Sequence, residues 1–190
     1  MPQNLSITDK ILKKTVLWLI PRGVTPNMIS WLRFLSVPVV GYFLWVADYS
    51  VALPLFFISA SSDALDGAMA RTRNQITDFG KLFDPLADKL LIATAALTLI
   101  PRFLDWDIVL AIVFIDLFLI SSGYFQKLYY GQVIQAENTG KIKMILQSFG
   151  IGVLLLYALT SYSPLLMTAQ YLFYGAIFFA LMSLVVYRAI

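Results

Sequence analysis

The sequence predicts an all-α polytopic membrane protein, with six transmembrane helices and an N-terminal amphipathic juxtamembrane helix. Three observations carry that prediction. Of 190 residues, 59% are hydrophobic and only 13% are charged, against about 45–50% and about 25% in soluble domains. The mean hydropathy is +0.78. The apolar residues also run continuously, without the alternation over about ten positions that marks a membrane barrel. The chain has no Cys and no His. A disulfide-stapled secreted domain, His/Cys zinc sites and His general bases are therefore excluded. Any metal must be held by oxygen, and any base must be Asp, Glu, Lys, Tyr or backbone.

Residues 1–26 read as an amphipathic membrane-surface segment. Ser6 and Asp9 make a capping-box-like start, and Ile7, Ile11, Thr15 and Leu19 repeat at helical spacing. Lys10, Lys13 and Lys14 lie on another flank, which suits an anionic membrane surface. A simple positively charged topology anchor explains the same residues. A signal peptide does not, because Pro21 closes a short apolar run and no small-residue cleavage site follows.

Residues 27–190 read as one six-helix domain. About 20 apolar residues cross a bilayer as a helix. The expected spans are Ile29–Ala47, Val51–Met69, Leu86–Ile100, Trp106–Tyr124, Met144–Ser161 and Leu165–Val186. The third is short unless it extends back toward Leu82. Basic residues set the orientation. With the N-terminus in the cytoplasm, Lys10, Lys13, Lys14, Arg22, Arg71, Arg73, Lys81, Lys127, Lys141, Lys143 and Arg188 share the cytoplasmic side, and Arg102 alone lies in an outer loop. Both termini are thus expected in the cytoplasm. The short N-terminus without a transit peptide points to the inner, or plasma, membrane of a prokaryote.

The segment from Ser61 to Lys89, SSDALDGAMARTRNQITDFGKLFDPLADK, holds the chemistry. Asp63 and Asp66 are three apart, and Asp84 and Asp88 are four apart, so each pair shares a helix face. Two helices joined by a cytoplasmic loop, in which Gly80 would stand, bring the pairs together. An Asp at the centre of a membrane helix costs roughly 2.5–3.5 kcal/mol, so four cost on the order of 10 kcal/mol. They also repel one another. Arg71, Arg73, Lys81 and Lys89 supply part of the compensation, and a pair of divalent cations with oxygen ligands supplies it better. A buried salt-bridge network is the competing reading. Gly67, Ala68 and Ala70 are small enough to admit a ligand or a neighbouring helix, and Arg71 beside them suits phosphate.

These residues match a known pattern, D-x2-D-G-x2-A-R-x8-G-x3-D-x3-D, at every fixed position: Asp63, Asp66, Gly67, Ala70, Arg71, Gly80, Asp84 and Asp88. The pattern resembles the signature of the CDP-alcohol phosphatidyltransferase family. The stretches TPNMISWLR (25–33), DPLADK (84–89) and GKIK (140–143) followed by Gln147 resemble the branch that makes phosphatidylglycerophosphate or cardiolipin. The resemblance spans about residues 22–160.

The resemblance implies six membrane helices, usually in a homodimer, with a polar cavity open to the cytoplasm. It implies transfer of a phosphatidyl group from CDP-diacylglycerol to a polar alcohol acceptor with release of CMP. Two divalent cations, Mg²⁺ or Mn²⁺, would sit among Asp63, Asp66, Asp84 and Asp88. Asp88 would be the base for the acceptor hydroxyl, with Asp84 beside it in the catalytic pair. Gly67, Ala70, Arg71 and Gly80, together with Asp66, match nucleotide-contacting positions, and Pro26 and Asn27 would line the same cavity. No nucleic-acid partner is implied.

The acceptor side departs from the pattern. Lys141 and Lys143 are candidates for an acceptor phosphate, or are simply a positive-inside flank. Arg33, inside the first span, is a candidate acceptor contact or a counter-ion for the aspartates. Asp116 stands where the branch usually carries an Arg, with Arg33 or Lys127 as possible partners. Glycerol 3-phosphate is the first choice of acceptor and phosphatidylglycerol the second. A cation transporter or channel lined by the aspartates is a remoter alternative. It lacks the internal symmetry that transporters often show.

Overall fold

The computed structural model describes residues 14–15, 17–18, 20–21, 23–73, 75, 77–130 and 138–188, with the side chains at 78–82, 85, 120, 122–130, 138 and 185–188 outside that description. The described residues are all-helical. Six helices follow in order: α1 Pro26–Trp45, α2 Tyr49–Thr72, α3 Asp78–Phe103, α4 Trp106–Tyr130, α5 Asn138–Thr160 and α6 Ser163–Arg188. The chain divides into two compact units, residues 1–94 and 95–190, with the boundary inside α3.

In the first unit, α1 starts where the sequence supplies both N-terminal signals. Thr25 is extended and its hydroxyl accepts from the Met28 N–H, while Pro26 occupies the first turn, where its missing N–H costs nothing. The helix ends in a tight turn in which Ala47 takes φ 61°. Asp48 then caps α2 by accepting from the Val51 N–H and from Ser50 Oγ at 2.6 Å. α1 packs on α2 along a stripe at three- and four-residue spacing: Pro26, Ser30, Arg33, Val37, Val40 and Leu44. The facing stripe of α2 contains Ala52, Phe56, Ser59 and Asp66. The interface is therefore apolar at the turn and polar at the opposite end. Gly41 lets α1 approach α3 closely, since a Cβ there would lie 2.8 Å from Thr94 Cγ2.

In the second unit, α5 and α6 are joined through Ser161, at φ 55°, and pack along their length. Gly150 admits the Phe173 ring: a Cβ there would lie 2.9 Å from Cε1. α4 also packs on α6.

The outer faces are apolar. Leu32, Leu35, Tyr42 and Trp45 of α1, Phe114 of α4 and Tyr171 of α6 are all exposed, the last two at 71% and 73%. With Arg33, Asp66, Lys143 and Gln147 buried, this is the inside-out polarity expected in lipid. By length and composition, Pro26–Trp45, Thr139–Thr160 and Ser163–Leu184 qualify among the described residues as helices able to cross a membrane. The remaining helices include the two, α2 and α3, that carry the charged motif.

Two expectations need correction. The third helix is longer than the span Leu86–Ile100, beginning at Asp78. Gly80 consequently lies in the first turn of α3 and not in the loop. The backbone remains helical through Gly80 and Pro85. The amphipathic segment expected over residues 1–26 falls largely outside the described residues. At its described positions, Lys14 and Thr15 are helical and Leu17–Trp18 form a turn. Leu17 is buried against Ala68 and Met69, with Ile20, Val24 and Ile29 packed around them.

Candidate active site

The C-terminal end of α2 and the N-terminal half of α3 carry the motif, and α1 supplies its internal cation. Asp63 and Asp66 lie one turn apart on α2. Ser30 and Arg33 lie one turn apart on α1, on the stripe that packs against it. Arg33 has a fully buried side chain, and its guanidinium contacts three motif carboxylates. Nη1 donates to Asp63 Oδ1 at 3.1 Å and to Asp88 Oδ1 at 3.0 Å, and Nη2 donates to Asp66 Oδ2 at 2.5 Å. Nε donates to Ser62 Oγ at 2.9 Å, and Ser62 in turn donates to the Ser59 carbonyl at 2.7 Å. Ser30 Oγ adds a 3.3 Å bond to Asp66 Oδ2. The planar fork of arginine makes this possible, because a point charge could not hold three carboxylates and a hydroxyl at once.

The carboxylates lie at graded depths. The Asp66 side chain is 1% exposed, Asp88 18% and Asp63 48%. One oxygen of Asp66 and one of Asp84, Oδ1 in each, are buried with no hydrogen-bond partner. An ionised carboxylate oxygen left so is costly. A hard cation is the natural partner for such an oxygen, and an oxygen-only donor set suits Mg²⁺ or Mn²⁺. Among the described residues no three acidic side chains converge as a closed cage. The residue types suit hard divalent cations, while in the arrangement present Arg33 is the cation paired with Asp63, Asp66 and Asp88.

The surrounding positions are organised around the same helix ends. Asn27 accepts from Thr77 Oγ1 at 2.8 Å, which ties the start of α1 to the segment between α2 and α3. Pro26 is buried beside it. Gly67 lies against the Arg71 guanidinium, and a Cβ there would stand 3.3 Å from Nη1. Ala70 is half-buried in the same turn. Arg73 donates to the Val24 carbonyl at 2.8 Å and to the Ile20 carbonyl at 2.9 Å, so it anchors the N-terminal segment as well as adding charge. Nothing in the sequence singled out Ser30, Ser59 or Ser62. The only available signal was the three-residue spacing of Ser30 and Arg33 on one helix face.

The other candidates lie in the second unit. Lys143 of α5 is buried and pairs with Asp116 of α4. Lys143 is thus a partner of Asp116, whereas Arg33 is engaged by the motif; the Lys127 side chain lies outside the described residues. Gln147, one turn beyond Lys143, is 2% exposed and its Nε2 has no hydrogen-bond partner. Lys141 is exposed.

The model of the family described as CDP-alcohol phosphatidyltransferase matches residues 23–185. The chain is 31% identical over 179 residues to the CDP-diacylglycerol--glycerol-3-phosphate 3-phosphatidyltransferase of Bacillus subtilis, covering 83% of this chain and 90% of that protein. It is 32% identical over 136 residues to the protein of the same name from Rickettsia typhi, covering 69% and 75% respectively. It is also 44% identical over 69 residues to the human cardiolipin synthase (CMP-forming), which amounts to 36% of this chain and 23% of that protein.

Proposed function

The chain belongs to the CDP-alcohol phosphatidyltransferase family, and from that premise we propose that it transfers the phosphatidyl group of CDP-diacylglycerol to glycerol 3-phosphate, giving phosphatidylglycerophosphate and CMP. The observation that carries the reading is the meeting of three motif carboxylates, from α2 and α3, on Arg33 of α1. The relatives from Bacillus and Rickettsia, matched over most of their length, support glycerol 3-phosphate as acceptor. Membership of a transferase family displaces the ion-path alternative.

The acceptor hydroxyl oxygen attacks the phosphorus that bears the diacylglycerol. A new O–P bond forms, the bond from that phosphorus to the bridging oxygen breaks, and CMP leaves with the electron pair. The hydroxyl proton passes to Asp88, whose partial exposure suits a group that must reach substrate. Two divalent cations held by Asp63, Asp66, Asp84 and Asp88 would neutralise the pyrophosphate and the charge developing on CMP. Gly67 and Ala70 keep the nucleotide-side surface of α2 low. Arg71 and Gly80 would contact the nucleotide as the motif implies, and Pro26 and Asn27 would line the same cavity. Asp66 is buried deepest of the carboxylates that Arg33 holds, so its orientation is the most firmly fixed.

The protein acts as an integral membrane enzyme of a bacterial inner membrane, with six spans, both termini and the motif in the cytoplasm, and two copies in the functional unit. The bias of basic residues to one side supports the orientation.

One observation favours phosphatidylglycerol as an alternative acceptor. Asp116 neutralises Lys143, which weakens the case for a phosphate monoester there. Purified protein given CDP-diacylglycerol and Mn²⁺ would be offered glycerol 3-phosphate, phosphatidylglycerol, inositol phosphate and serine in turn. CMP release with glycerol 3-phosphate alone supports the proposal. Release with phosphatidylglycerol alone establishes the cardiolipin-forming alternative.

A further inference from the structure

Two arginines stand at the end of the motif helix, and their surroundings differ. Arg71 is exposed beside Gly67. Arg73, two residues on, is half-buried, and its guanidinium is engaged with backbone. Nη1 donates to the Val24 carbonyl at 2.8 Å and to the Pro21 carbonyl at 3.5 Å, and Nη2 donates to the Ile20 carbonyl at 2.9 Å. These carbonyls belong to the stretch that leads into α1, whose first residues are Pro26 and Asn27. The stretch is itself a turn, in which the Val24 N–H donates to the Pro21 carbonyl at 3.1 Å. An apolar cluster accompanies the tie: Leu17, Ile20, Val24 and Ile29 pack with Ala68 and Met69 of α2. Thr77 adds a second tie by donating to Asn27 Oδ1 at 2.8 Å. The start of α1 is thus fastened both to the end of α2 and to the segment before α3.

We propose that Arg73 is a positioning residue for the nucleotide end of the site. It holds Pro26 and Asn27 of α1 in register with Gly67, Ala70 and Arg71 of α2, the positions that the proposed function gives to the CMP half of the donor. The planar fork is the active property, because its separate N–H groups reach the Ile20 and Val24 carbonyls together. Lysine keeps the charge but offers a single compact ammonium. Arg73 touches no substrate in this account and acts through the register of the two helices. A misplacement of about 1 Å far from the chemistry can cost about 10²-fold. Contacts to the nucleotide are made in the ground state and the transition state alike, so their loss raises KM and spares kcat. The proposal rests on the transferase reading above, and the test separates the two.

Full-length protein in detergent with MnCl₂ is titrated calorimetrically with CMP. Turnover of CDP-diacylglycerol is measured with whichever of glycerol 3-phosphate and phosphatidylglycerol supports it. Wild type is compared with Arg73→Met, Arg73→Lys and Leu17→Ala. Arg73→Met should raise the KM for CDP-diacylglycerol and the Kd for CMP by up to about 10²-fold, while kcat and the KM for the acceptor hold. Arg73→Lys should fall between Arg73→Met and wild type. Leu17→Ala loosens the apolar half of the same tie and should raise the same two constants by a smaller factor; it carries the test if the Arg73 variants do not fold. A lowered melting temperature with both constants unchanged makes Arg73 a structural tie only, which overturns the proposal and leaves the transferase reading intact. A fall in kcat at unchanged KM overturns it as well. A wild type that neither binds CMP nor turns over CDP-diacylglycerol overturns the reading and the proposal together.

Discussion

Asp63 and Asp66 share a helix face, a motif and a partner in Arg33, yet replacing each by Asn should have different consequences for the fold. Both substitutions remove a proposed cation ligand, so both should abolish CMP release. Their stability costs differ because the two carboxylates differ in depth. Asp66 is 1% exposed and meets Arg33 Nη2 at 2.5 Å, with a further bond from Ser30. A charge-assisted bond of that kind, with both partners buried, contributes about 1.5–3 kcal/mol. Asp63 meets the same guanidinium at 3.1 Å but is 48% exposed, and a solvent-screened pair contributes about 0.2–1 kcal/mol. Asp66→Asn should therefore cost about 1–2 kcal/mol more than Asp63→Asn. For a chain of this length each kcal/mol moves the melting temperature by about 2–4 °C, so the two variants should differ by roughly 2–8 °C. Thermal unfolding followed by circular dichroism in detergent, with cations chelated, measures the difference directly. If Asp63→Asn lowers the melting temperature as much as Asp66→Asn, the depth argument is wrong.

Other substitutions probe separate parts of the account. Asp84→Asn removes charge from a carboxylate whose buried oxygen has no partner; it should raise the melting temperature of cation-free protein while eliminating CMP release, a trade of stability against function. Gly41→Ala places a methyl 2.8 Å from Thr94 Cγ2, and overpacking of about 1–3 kcal/mol should outweigh a helix-propensity gain of about 1 kcal/mol. Adding Thr94→Ala should relieve it, and additivity of the two in a double-mutant cycle would show that α1 and α3 do not meet there. Asp116→Asn weakens the charge pairing of the buried Lys143; the melting temperature should fall, and glycerol 3-phosphate should restore part of the loss by supplying an anion. Restoration by phosphatidylglycerol but not by glycerol 3-phosphate would point to the alternative acceptor.

The features legible in the sequence are those written in local pattern. Thr25 and Pro26 mark the start of α1, Asp48 caps α2, and the motif spacing places the carboxylates on shared helix faces. What stayed hidden depends on contacts between helices. The partners of Arg33 lie 30, 33 and 55 residues away along the chain. Sequence leaves it equally a counter-ion or an acceptor contact, and the packing of α1 on α2 places it among the aspartates. Asp116 read as an anomaly in an apolar helix until the approach of α4 to α5 supplied Lys143. Gly80 is expected in the loop because glycine is a poor helix former, and the helix that runs through it is set by its surroundings and not by propensity. The serines around Arg33 left no signal because a serine in an apolar helix reads like any small residue until its hydroxyl finds a partner.

The central claim is that a carboxylate site transfers the phosphatidyl group to glycerol 3-phosphate, with Asp88 taking the hydroxyl proton. The most direct measurement uses labelled glycerol 3-phosphate with CDP-diacylglycerol and Mn²⁺, comparing wild type with Asp88→Asn. The account predicts label in phosphatidylglycerophosphate in equal amount to the CMP released, and a loss of about 10²–10⁴-fold or more in the variant. CMP released by wild type without label in the lipid product, or incorporation that survives Asp88→Asn, would contradict it.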